Sequence, residues 1–185
     1  VILGDSSHTF IYEAGGISAF GGIHSHQLKN ELDGTININS IESAIREDNV
    51  HFPRTALICL ENTHNMCFGS PIHSSYMDDV YAIAKKHKLK IHTDGARIFN
   101  AAVALNVDMR ELVQHTDSIT FCLSKGLSAP IGSILCGTEE FIHEARRMRK
   151  ALGGGMRQAG IIAASGNIAL NKSINQLKHD HDNAK

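Results

Sequence analysis

Three short polar stretches carry the residue types that chemistry needs: Glu61-Asn62-Thr63-His64-Asn65, Asp94-Gly95-Ala96-Arg97 and Ser124-Lys125-Gly126. Each follows an apolar run. An aspartate after one run and a lysine after the next are what a pyridoxal-phosphate enzyme requires. The lysine forms a Schiff base with the cofactor aldehyde, and the carboxylate keeps the pyridine nitrogen protonated so that the ring accepts electrons. The same spacing has a plainer origin as well, because an Asp after a strand is a common helix N-cap and a Lys beside a Gly is usually solvated.

Such residues converge only if several strands end side by side. Residues 57–60, 90–93 and 118–122 are apolar runs spaced roughly thirty residues apart, as βαβ units require, and residues 133–136 read as a further strand between Gly132 and Gly137. The chain also opens on an apolar run, Val1-Ile2-Leu3. Helical periodicity marks 74–88, with Met77, Val80, Tyr81 and Ala84 on one face, then 96–105 and 109–115. Thr138 opens another helix with Glu139 and Glu140 in its first turn and Arg146, Arg147, Arg149 and Lys150 near its end, which complements the macrodipole. A helix from 158 follows the Gly153–Gly155 stop, and 175–185 reads as a solvent-facing helix. Two weaker segments are a helix over 9–20, interrupted by Gly15-Gly16, and a short helix over 40–46 capped by Asn39. The expectation is an α/β fold with a mainly parallel sheet flanked by helices, its ligands at the carboxyl ends of the strands.

Composition excludes several classes. In 185 residues, 42% hydrophobic and 20% charged, 18 Lys and Arg face 19 Asp and Glu, so no global field draws the chain to nucleic acid or anionic lipid. No stretch is long and apolar enough to cross a bilayer. Cys59, Cys67, Cys122 and Cys136 form no C-x-x-C pair, and three of them lie in apolar runs as buried thiols do, which points to a reducing, cytoplasmic compartment. The His179-Asp180-His181-Asp182 run looks like a ligand cluster, but i and i+2 diverge on a helix, so no metal is expected. The first residue is Val1 and no charged segment precedes the apolar run, which reads as a chain cut from something longer.

Five stretches in order, 7–15, 51–55 with 61–65, 92–102, 121–133 and 152–160, resemble the low-specificity threonine aldolases. The resemblance spans nearly the whole chain. It implies the large domain of the aspartate-aminotransferase fold type I, with residues 1–170 as an incomplete pyridoxal-phosphate-binding domain and 171–185 as a helix leading toward a missing C-terminal small domain. It implies cleavage of threonine or allo-threonine to glycine and acetaldehyde by a homotetramer. Carried over by position, Lys125 is the Schiff-base lysine, Asp94 the partner of the pyridine nitrogen, and Arg97 the ligand of the substrate carboxylate. His8 stacks on the cofactor ring, His64 stands near the substrate hydroxyl, and Arg157 reaches a cofactor phosphate or a subunit boundary. His64 or His8 is the base. The family's phosphate-binding loop upstream of His8 and its second carboxylate-binding Arg are not located in this chain. Two other functions remain open: another pyridoxal-phosphate lyase or racemase, and a non-catalytic module of the same fold. The presence of Lys125, Asp94, Arg97, His8 and His64 together argues against the last.

Overall fold

Short apolar strands alternate with helices from the first residues onward. The computed structural model describes residues 1–185. Strand β1 (Ile2–Gly4) is followed by two one-turn helices, α1 (His8–Ile11) and α2 (Gly16–Ala19), and by β2 (His26–Leu28). Helix α3 (Ile38–Ala44) leads to β3 (Leu57–Glu61), and α4 (Ser74–His87) leads to β4 (Lys90–Asp94). Helices α5 (Ile98–Leu105) and α6 (Met109–Val113) precede β5 (Ser118–Cys122). Then come β6 (Ser133–Gly137), α7 (Glu139–Ala151), α8 (Gly160–Lys172), a 3-10 turn at Ser173–Gln176 and α9 (Leu177–Asn183).

The strands form one sheet in the order β2-β1-β3-β4-β5-β6. The first five run parallel and β6 is antiparallel to β5. The α/β fold with a mainly parallel sheet is as expected. Because β1 lies between β2 and β3, the chain first builds outward on one side and then crosses to the other. The crevice between β1 and β3 is therefore the topological switch point, where α/β sheets of this kind bind ligands.

The register assigns the two faces. Ile58 pairs with Ile91, Leu60 with Thr93 and Thr93 with Ile119, so these side chains share one face. That face holds the core. Ile36, Ile41, Ile58, Met77, Val80 and Ile91 pack under α3 and α4, and Ile98, Ala101, Leu112 and Ile119 pack under α5 and α6. Ile58 is fully buried. Ile58→Ala is expected to cost about 2–5 kcal/mol through lost transfer energy and a residual cavity, read as a lowered urea midpoint at unchanged slope. The opposite face carries Cys59 and Glu61 on β3, His92 and Asp94 on β4, and Ser118 and Thr120 on β5.

The structure departs from the sequence reading in several places. The segment over 9–20 splits into α1 and α2 because Ala14 and Gly15 take positive φ, 51° and 67°, which a right-handed helix does not admit. Helix α3 begins at Ile38 with Asn37 as its cap, the Asn37 Oδ1 accepting the Ser40 N–H at 3.1 Å, so the cap is two residues earlier than Asn39. Helix α9 is not solvent-facing throughout: Leu177 is fully buried in a cluster with Leu123, Leu127 and Ala169, and Asn100 Nδ2 lies 3.0 Å from His181 Nε2. Cys59 is buried, but Cys122 is only half-buried and Cys136 is exposed, because β6 forms the sheet's edge and is largely uncovered.

Candidate active site

Four parallel strands deliver the sequence-predicted residues to one rim of the sheet. His8 follows β1, His64 follows β3, Asp94 ends β4 with Arg97 three residues on, and Lys125 follows β5. Arg157 is exposed on the loop between α7 and α8.

The His64 loop is built by pairwise closure. Asn62 donates from Nδ2 to the Ile72 carbonyl and accepts the Ile72 N–H, each at 3.1 Å, in a buried exchange. The His64 N–H bonds to the Ser70 carbonyl at 2.9 Å, and the Gly69 N–H bonds back to the His64 carbonyl at 3.0 Å. The turn before α3 closes over the ring from the other side. Gly34, at φ 86°, approaches so near that an added Cβ would stand 2.5 Å from the His64 Cβ. His64 is thus 0% exposed, yet neither ring nitrogen has a hydrogen-bond partner. Buried polar atoms without partners are rare in native proteins and mark positions awaiting one.

Asp94 Oδ1 accepts the Ala96 N–H at 3.1 Å, and Oδ2 makes no bond. Arg97 Nη1 donates to Asn65 Oδ1 at 3.1 Å, which ties the β4 loop to the β3 loop. On the β1 side, Glu13 Oε1 lies 3.0 Å from His8 Nδ1, and the Tyr12 ring sits 5.1 Å from the imidazole. The Lys125 side chain is exposed, with neither hydrogen bond nor ion pair. Each of these groups has bonding capacity left over.

One buried acid was not singled out in the sequence. Glu61 is 4% exposed and pairs in register with Asp94. Its Oε2 accepts the His8 N–H at 2.7 Å and its Oε1 accepts the Asn65 N–H at 2.9 Å. The period-2 alternation that puts Cys59 and Glu61 on one face was the available signal.

One row deeper on the same face, Cys59, His92 and Ser118 are in register. Burial, then the Asp94 and Glu61 carboxylates, push the Cys59 thiol up to about 12, so it is an inert filler rather than a nucleophile. His92 Nδ1 lies 2.8 Å from Ser118 Oγ, and Thr120 Oγ1 lies 3.4 Å from Nε2. Burial lowers the His92 pKa, against the opposing pull of Asp94 and the Ser118 bond. A depressed folded value means that the unfolded chain binds the extra proton. The contribution of His92 to stability is complete above about pH 6.5, and it is lost as pH falls from there through the folded value. Unfolding free energies from urea titrations between pH 7.5 and 5 are expected to fall less steeply in His92→Asn, by at most about 1.4 kcal/mol per pH unit.

Comparison with known proteins places the chain in a family. The family model for beta-eliminating lyases matches residues 1–185. The chain belongs to the beta-eliminating lyase family. A probable low-specificity L-threonine aldolase 2 of Arabidopsis thaliana is 51% identical over all of this chain and 53% of its own length. A low specificity L-threonine aldolase of Escherichia coli K12 is 43% identical over 99% of this chain and 54% of its own. Among solved structures, a threonine aldolase of Leishmania major superposes with a TM-score of 0.86 at 21% identity, covering 100% of this chain and 54% of that one. That likeness establishes the fold. This family member therefore spans about half the length of the curated relatives it matches.

Proposed function

We propose that this rim is the cofactor and substrate site of a pyridoxal-phosphate-dependent aldehyde-lyase, which cleaves L-threonine or L-allo-threonine to glycine and acetaldehyde. The observation that carries the reading is the gathering of His8, His64, Asp94, Arg97 and Lys125 at one end of four parallel strands, in a chain similar over its whole length to L-threonine aldolases.

The residues present fit the cofactor. Lys125 has a free amine for an aldehyde, Asp94 has an unbonded carboxylate oxygen for a ring N–H, and His8 presents an imidazole whose edge is held by Glu13. Pyridoxal phosphate, when bound, supplies the electron sink for the pair released at Cα. Arg97 holds the substrate carboxylate by a charge-assisted bond, and so fixes which bond at Cα is presented for cleavage. His64 accepts the proton of the β-hydroxyl as the Cα–Cβ bond breaks. The Cβ fragment departs as acetaldehyde, the electron pair remains with Cα, and a proton returned to Cα completes glycine. Imidazole is the side chain suited to such a transfer, and no partner within the chain competes for the His64 nitrogens. Arg157 is assigned to a cofactor phosphate or a subunit boundary.

The wider setting follows the same reading. Residues 1–170 are the cofactor-binding domain, 171–185 lead toward a smaller one, and the active assembly is a cytoplasmic homotetramer serving threonine breakdown and glycine formation. Four free cysteines accord with a reducing compartment, and no helix is long and apolar enough to cross a membrane. The decisive experiment incubates the natural full-length gene product and pyridoxal phosphate with L-threonine and L-allo-threonine. Equimolar acetaldehyde and glycine are expected. Cofactor binding without acetaldehyde overturns the aldolase reading.

A further inference from the structure

Glu61 stands at the crevice between β1 and β3, and its placement exceeds what a structural carboxylate needs. Carboxylates are almost never this buried unless paired, and Glu61 has no Lys or Arg partner. It accepts one N–H from each wall of the crevice, that of His8 after β1 and that of Asn65 after β3. Both loops carry a histidine of the proposed site, and Asn65 in turn holds Arg97. The third neighbour of the carboxylate is the His64 ring. Its Nε2 lies 3.9 Å from Glu61 Oε2, beyond hydrogen-bond range but close enough for the carboxylate's charge to act on the ring.

We propose that Glu61 is the positioning residue of this site, fixing the tautomer of His64. The argument rests on the reading given under Proposed function. A fixed negative charge beside Nε2 favours the proton there and leaves the lone pair on Nδ1, as a buried acid does for an imidazole base. His64 then takes the hydroxyl proton at Nδ1, and the imidazolium that forms faces a carboxylate rather than an apolar wall. The proton moves from substrate oxygen to Nδ1 and goes no further, so Glu61 orients the imidazole without taking a proton itself. Its two backbone bonds hold it in place while this happens, so the carboxylate is preorganised instead of being recruited.

The test uses 15N-histidine labelling of the natural full-length gene product, with steady-state kinetics on Glu61→Gln. The His64 resonances are expected to report the Nε2–H tautomer in the wild type and a shift toward Nδ1–H or a mixture in Glu61→Gln. kcat is expected to fall roughly tenfold to a hundredfold with KM little changed. Glu61→Asp, which keeps the charge, is expected to restore part of both. An Nδ1–H tautomer in the wild type overturns the proposal, as does a folded Glu61→Gln protein with unaltered tautomer and kcat. The wild-type spectrum decides even if Glu61→Gln fails to fold. It also decides independently of turnover, so a protein that leaves threonine intact overturns the aldolase reading and not this one.

Discussion

Lys125→Ala is expected to lower threonine cleavage by about 10³-fold or more, at least ~4 kcal/mol on the barrier, and to abolish the visible absorption band that pyridoxal phosphate gives in the wild type. The lysine sits just past the carboxyl end of β5, exposed toward the rim, and its amine is engaged by no other side chain. On the proposed reading, substituting it removes the covalent hold on the cofactor, while the one hydrogen bond that Lys125 makes, its backbone carbonyl accepting the Ser128 N–H at 2.9 Å, is kept by alanine. The substitution therefore separates chemistry from folding. Borohydride treatment of the wild type is expected to fix the cofactor to the peptide containing Lys125, and recovery of the label on a different lysine would sink the assignment.

Asp94→Ala is expected to reduce kcat by about 10²–10⁴-fold, about 3–5 kcal/mol on the barrier, because the proposed partner of the cofactor's ring nitrogen is lost. On the proposed reading, the carboxylate acts by keeping a ring nitrogen protonated. Nothing else at the end of β4 can replace it, since the next acid on that face, Glu61, has an oxygen committed to each of two backbone N–H groups. Asp94→Ala also removes the acceptor for the Ala96 N–H, so a modest loss of stability accompanies the kinetic effect. The absorption band persists in this variant because Lys125 is intact. A variant that binds cofactor and keeps wild-type kcat would refute the role given to Asp94.

Much of the scaffold was legible because its signals are local. The strands over 57–61, 90–94, 118–122 and 133–137 are apolar runs closed by polar residues or glycine, and α7 announces both of its ends by charge. Strand β2 was not legible: His26-Gln27-Leu28 has three half-buried residues, no apolar run, and a pairing with β1 fixed only by the tertiary fold. The shift of the α3 cap from Asn39 to Asn37 has a similar cause. Either Asn can cap, and the burial of Ile36 and Ile41 chooses between them. At the candidate site, the residues that the fold gathers at one rim had been selected through type and motif. The clamp by Glu61 and the Arg97–Asn65 bond were not, because both depend on strand register and on loops that meet across the crevice.

The sheet's asymmetry at β6 bears on how the polypeptide behaves in a tube. That strand hydrogen-bonds to β5 alone, holds neither a charged residue nor a proline over Ser133–Gly137, and leaves Ile134 and Cys136 exposed. Unpaired amide and carbonyl groups along an uncharged border are a template for another strand, the arrangement that soluble proteins usually blunt with lysine or proline. Among these 185 residues the free edge of β6 is therefore a place where another strand can extend the sheet. A single lysine placed on β6 would act as a gatekeeper there.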